Sequence, residues 1–98
     1  MTVILAPAAR DDLAGVYAYY GERDDKHAER LVRAILLACD GLAEFPLLGK
    51  KGAVEGTRER LMTRYPYRLV YRIDGDDISV SRILHQRQQW PPMETGAE

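Results

Sequence analysis

The stretch Tyr65-Pro-Tyr-Arg-Leu-Val-Tyr-Arg-Ile-Asp-Gly-Asp-Asp-Ile-Ser-Val-Ser-Arg-Ile-Leu-His-Gln-Arg-Gln-Gln-Trp-Pro91 decides the fold. Two segments of similar length flank Asp74-Gly75, and each alternates in side-chain type. Asp-Gly between alternating segments is a strong hairpin signal, because glycine accepts the positive φ that a tight turn needs. With Gly75 and Asp76 at the turn, parity pairs Ile73 with Ile78, Tyr71 with Val80, Leu69 with Arg82 and Tyr67 with Leu84 on one face. The other face then carries Arg68 with Ile83, Val70 with Ser81, and Arg72 with Ser79. Continuing the same parity puts His85 and Arg87 on the Arg68 side. The first face is the more apolar and is expected to meet the core, with Leu69, Tyr71, Val80 and Leu84 beneath whatever covers the sheet. A slip of one residue would exchange the two faces.

Upstream of the hairpin the period changes. Thr2 to Ala6 reads as a short strand ended by Pro7. Leu13, Val16, Tyr17 and Tyr20 then fall at helical spacing, predicting a helix over about 8–21 with Asp11 and Asp12 in its first turn and Gly21 as its stop. A second helix is expected over about 25–44, with Ala28, Leu31, Val32, Ile35, Cys39 and Leu42 on one stripe. Leu36, Leu37 and Ala43 widen that stripe, which predicts burial along more than one side. Tyr17, Tyr19 and Tyr20 read as core or rim rather than as a stacking platform. Phe45 to Gly52 reads as an irregular loop broken by Pro46 and two glycines. A strand over 57–63 follows, then 67–74 and 77–85. A single domain over 1–98 is expected, its tail from about 91 frayed.

Composition narrows the class. At 98 residues and 46% hydrophobic, the chain can close one core. No apolar run approaches the roughly 20 residues of a membrane span, and the opening residues lack a secretory signal pattern. Cys39 is the lone cysteine, so a cytoplasmic setting and no intrachain disulfide are expected. The net charge is −1, which argues against a bulk polyanion binder. Yet residues 58–87 hold seven arginines, four acids and no lysine. Two readings of those arginines stay open: a specific anion-binding surface, suited to the guanidinium fork, or a solvated face with internal ion pairs.

Signs of catalysis are sparse. Two histidines and one cysteine without ligand spacing make no zinc site, and no cofactor is expected. Gly49-Lys50 lacks the glycine before and the hydroxyl residue after that a phosphate loop requires. Ser81 and His85 lie about 13 Å apart along one strand, too far for a hydrolase pair. What remains is Arg68, His85 and Arg87 on one expected face, with Arg58 or Arg60 from the neighbouring strand. That set could supply acid–base and charge stabilisation to a phosphodiester, or bind a partner.

Ala9-Arg-Asp-Asp-Leu13, Leu42-Ala-Glu-Phe-Pro46, Gly56-Thr-Arg-Glu59, Tyr67-Arg-Leu-Val-Tyr71, Leu84-His-Gln-Arg87 and Trp90-Pro91 occur in one order and spacing. In this the sequence resembles the ParE/RelE superfamily of type II toxin–antitoxin toxins over nearly its full length. The resemblance implies an α+β fold, an N-terminal helical hairpin packed on a small twisted antiparallel sheet. It also implies a cognate antitoxin that wraps and masks the toxin. RelE-like members cleave mRNA on the ribosome with strand lysines and arginines; Arg68 and Arg87 match two such positions, but no lysine lies between 58 and 87, and Trp90 stands where a tyrosine is usual. ParE-like members inhibit DNA gyrase without a catalytic set, and the Leu-His-x-Arg ending is closer to that branch. The expectation is a gyrase-directed toxin that acts by binding; the alternatives are a ribosome-dependent endoribonuclease and a non-toxic partner protein. Target- or antitoxin-binding candidates are Arg58, Arg60, Arg68, Arg72, His85, Arg87 and Trp90; Arg68, His85 and Arg87 are the catalytic candidates if the chain cuts RNA.

Overall fold

The computed structural model describes residues 1–92; most of the tail expected to fray lies outside them. The elements are β1 (Thr2–Leu5), α1 (Pro7–Gly21), α2 (Asp25–Gly41), β2 (Lys50–Lys51), β3 (Arg58–Leu61), β4 (Tyr67–Asp74) and β5 (Asp77–His85). Pro7 opens α1, where its fixed φ suits the helix and its missing N–H costs nothing. Asp11 and Asp12 therefore sit in the second turn rather than the first. Asp24 caps α2, its carboxylate accepting from the backbone N–H of Lys26 and His27 at 3.1 and 3.2 Å. That helix ends at Gly41, three residues before the expected stop.

The strands form one five-stranded sheet in the order β1-β5-β4-β3-β2. All pairs are antiparallel except β1 with β5, which run parallel. The three strands expected in the sheet pair antiparallel, and β1 adds a parallel edge to them. Alternation can mark β1 as a strand, but the helical hairpin separates it from its partner, and no turn fixes their direction. The two helices cover one face, burying Ala9, Leu31, Ile35 and Cys39 against Leu69, Tyr71, Ile78, Val80 and Ile83.

The central hairpin follows the expected register only from the turn to Tyr71 opposite Val80, with Gly75 at φ 62°. Beyond that point the pairing shifts by one: Val70 faces Arg82, Leu69 faces Ile83, Arg68 faces Leu84 and Tyr67 faces His85. Ser81 is the extra residue of a β-bulge, which reverses parity along the strand that carries it. The consequences are specific. Ile83 joins the core under the helices, and His85 comes to the helix side beside Tyr67, their ring centroids 5.4 Å apart. Leu84 is fully buried, but with Val70 on the opposite face and outside the main cluster.

Tyr71 ties this core to the loop after α2. Its hydroxyl donates to the Pro46 carbonyl at 2.7 Å and accepts from the Gly49 N–H at 2.8 Å. A Cβ at position 49 would lie 2.7 Å from the Tyr71 ring, so glycine is required there by close approach.

Candidate partner-binding surface

The bulge disperses the expected arginine–histidine cluster. Arg68 lies on the sheet face away from the helices, where Nη1 stands 3.7 Å from Glu59 and Nη2 donates to the Gln88 carbonyl at 2.7 Å. His85 points to the other side. Arg87 follows in a turn, exposed, its backbone N–H donating to His85 Nδ1 at 3.1 Å. The expected common face for Arg68, His85 and Arg87 is therefore not formed.

Arg58 and Arg60 also fall on the helix side of the sheet, opposite Tyr71 and Leu69, and not beside Arg68. Arg58 donates to the Gly49 carbonyl at 2.6 Å, bracing the loop that Tyr71 holds. Arg60 donates to the carbonyl of Leu61. Arg72 remains exposed, with only a 3.4 Å contact to the Glu55 carbonyl. Trp90 lies against Arg82, whose guanidinium carbon is 5.3 Å from the indole centroid. The Trp90 indole N–H and Arg68 Nε are buried without a hydrogen-bond partner among the described residues.

Arg82, which the expected register placed opposite Leu69 on the core-facing side, pairs with Val70 instead and is the most firmly held of the arginines. Nε and Nη2 donate to the two oxygens of Asp12 at 2.8 and 2.9 Å, and the Ile83 N–H donates to the same carboxylate at 2.8 Å. The bonds to Asp12 strengthen the protonated form of this guanidinium still further.

Several large apolar side chains stand open to solvent instead. Leu36 and Leu37 of α2 are exposed, the latter by 63%, against the expectation that they would be buried. The sheet meets α2 on one side only, and a sequence stripe does not say which. Phe45, Leu47 and Leu48 in the following loop and Leu61 on β3 are likewise exposed, Leu47 by 67%. Leu37 borders a groove of about 240 Å³ between α2 and the residues after β3, walled by Ala34, Met62, Tyr65, Arg60 and Arg64. A second hollow beside it holds Leu48, Leu61, Lys50 and Glu59, and Arg60 borders both. The two hollows share Arg60, giving a strip of apolar side chains with three cations, Lys50, Arg60 and Arg64, and one acid, Glu59, along it. Of the sequence candidates only Arg60 borders it. The signal that was available is the composition of Phe45-Pro-Leu-Leu48, which is too apolar for an ordinary surface loop.

The described residues thus form a helical hairpin on one face of a small mixed sheet, with exposed apolar side chains at α2, the following loop and β3. Residues 3–90 match the family described as ParE toxin of type II toxin-antitoxin system, parDE. The chain is 39% identical over 74 residues, 76% of either length, to "Putative toxin Y4kP" of Sinorhizobium fredii (strain NBRC 101917 / NGR234). It belongs to the ParE toxin family. Among solved structures it superposes on a chain from the chromosomal ParDE system of P. aeruginosa with a TM-score of 0.79, at 24% identity, over 87% of this chain and 95% of that one. It also superposes on a chain of the RelBE2 toxin–antitoxin complex of Mycobacterium tuberculosis with a TM-score of 0.63, at 30% identity, over 86% and 95%. No helix among the described residues is long and apolar enough to cross a membrane.

Proposed function

We propose that this protein is a toxin that acts by binding its target rather than by cutting RNA, with DNA gyrase as the target and a cognate antitoxin as its inhibitor. The observation that carries the reading is the strip from Leu37 past Arg60 to Leu48 and Leu61. Large apolar side chains on this scale are seldom left to water by a lone soluble chain, and the cations along the strip favour a partner segment of mixed apolar and acidic residues. An antitoxin tail that folds onto the strip would cover it and stabilise the toxin by mass action. The dispersal of Arg68, His85 and Arg87 favours binding over chemistry, because proton transfer to and from a ribose hydroxyl and a leaving oxygen needs two positioned groups.

The test begins with expression without the protein encoded beside it, scored by growth, supercoiling by purified gyrase and mapped mRNA 5′ ends. Growth arrest, impaired supercoiling and intact messages are expected. The double substitution Leu37→Asp and Leu48→Asp should leave the isolated chain's melting nearly unchanged, because both residues are exposed. It should weaken antitoxin binding by about 100-fold, or roughly 3 kcal/mol. Discrete message cuts in ribosomal extracts, lost on Arg87→Ala, would replace this reading with the endoribonuclease one.

A further inference from the structure

Between α1 and the end of β5 lies a cleft of about 410 Å³ that shares no lining residue with the apolar strip. Its walls are Gly15, Tyr19 and Tyr20 from α1, Tyr67 from β4, and His85 and Gln88. We propose that this cleft is a nucleotide site that takes the base between its aromatic walls and leaves the phosphate to the arginines that neighbour them. The proposal does not depend on the nature of the toxin's target.

Gly15 is the first observation. A glycine inside a helix weakens it relative to alanine, so its presence calls for a local reason. Neither usual reason applies: its φ is not positive, and an added Cβ would meet nothing within 4 Å. Gly15 lines the cleft, and the side chain missing there leaves that wall open.

The lining gives the ligand's chemistry. Four rings face it, in two edge-to-face pairs: Tyr19 with Tyr20 at 5.0 Å and Tyr67 with His85 at 5.4 Å. Such walls suit a flat π-system. His85 Nδ1 accepts from the Arg87 N–H, so the neutral ring carries its proton on Nε2 and offers a donor. The Gln88 amide adds a donor and an acceptor, and the tyrosine hydroxyls can act as either. Asp12, also at the wall, has its charge matched by Arg82. A lining without net charge that offers both donors and acceptors fits a nucleobase. A bare anion would need cations in the wall, and a simple hydrocarbon would leave the polar groups unpaired. Two cations neighbour lining residues: Arg23 lies over the Tyr19 ring at 4.2 Å and donates to the Tyr19 carbonyl at 3.0 Å, and Arg87 is exposed beside His85 and makes no ion pair among the described residues.

The experiment titrates the ¹⁵N-labelled full-length chain with AMP and, as a control for charge alone, with ribose 5-phosphate. AMP should shift the amides of Gly15, Ile83 and Arg87 and saturate, with ribose 5-phosphate weaker by about tenfold or more. Gly15→Leu fills the cleft from a solvent-open position and replaces glycine with a strong helix former. It should fold, melt higher than the parent and lose AMP binding by about tenfold or more. His85→Phe keeps a ring but removes the donor and should weaken AMP with little effect on melting. A tri-adenylate arm separates the two sources of the base. Binding much tighter than AMP marks a single strand as the ligand, and equal binding marks the free nucleotide; either result supports the site. No shift at those three amides, equal binding of ribose 5-phosphate, or unchanged AMP binding in folded Gly15→Leu would each overturn the proposal.

Discussion

Tyr71 does more than fill volume. Its ring is fully buried, and its hydroxyl closes two hydrogen bonds to residues 22 and 25 positions earlier in the chain. Tyr71→Phe keeps the ring and leaves the Gly49 N–H and the Pro46 carbonyl without their partner. Unmet buried groups of this kind cost about 1–3 kcal/mol. Urea unfolding should show that loss, and hydrogen exchange at the Gly49 amide should accelerate while core amides stay protected. Alternation in the sequence identified Tyr71 as a core residue. The work of its hydroxyl was illegible, because both partners are backbone groups in a loop whose path no periodicity describes.

The outer edge of β5 is divided between two kinds of cover. β1 pairs with Asp77 to Val80, and beyond that the Asp12 carboxylate takes over, accepting from the Ile83 N–H and from Arg82. One side chain of α1 thus satisfies a strand edge that would otherwise be open to pairing with another chain. Asp12→Ala would leave that N–H and the guanidinium unpaired together. It should destabilise the chain by about 1.5–3 kcal/mol, the range for hydrogen bonds to charged groups, and should promote association through the freed edge. Chemical denaturation and light scattering read the two effects separately. The hairpin that presents this edge was legible through Asp74-Gly75 and the alternation either side of it. Its far half was not, because the extra residue of the bulge, Ser81, looks like any other strand serine. Along β5 from there on every facing assignment was inverted, including those of Leu84 and His85, while Tyr67 and Leu69 of β4 kept the core face.

At the level of the whole molecule, the core sets an alkaline limit on stability. Burial first, and the nearby Asp40 charge second, push the Cys39 thiol from 9.0 up to about 12. Burial, then the neighbouring Tyr20 hydroxyl, raises the Tyr67 phenol above its ordinary value of 10.0. Below pH 9 both groups are protonated whether the chain is folded or not, so neither alters stability. Above it the unfolded chain sheds the thiol proton and the folded chain does not, so stability falls through the window from 9 to about 12, with Tyr67 adding to the fall from 10 upward. The slope is at most about 1.4 kcal/mol per pH unit for each group. Urea midpoints measured from pH 8 to 11 should decline accordingly, and Cys39→Ala should flatten the first part of the decline. The interior that creates this limit was largely readable from helical and strand periodicity. The exposed apolar surface was not: Leu36 and Leu37 extend the same helical stripe as the buried residues, and only the position of the sheet leaves them outside.

The parallel pairing of β1 with β5 has a consequence for synthesis. Thr2 is matched with Asp77, 75 positions later by subtraction. At roughly 5–20 residues per second, a ribosome needs on the order of 4–15 s after making β1 to make the strand it pairs with. During that interval the helices can form and pack locally, but the sheet has no completed edge and no closed core. Completion of β5 is therefore the step that locks this sheet, and a chain interrupted short of it is released with β1 and β4 lacking their shared partner.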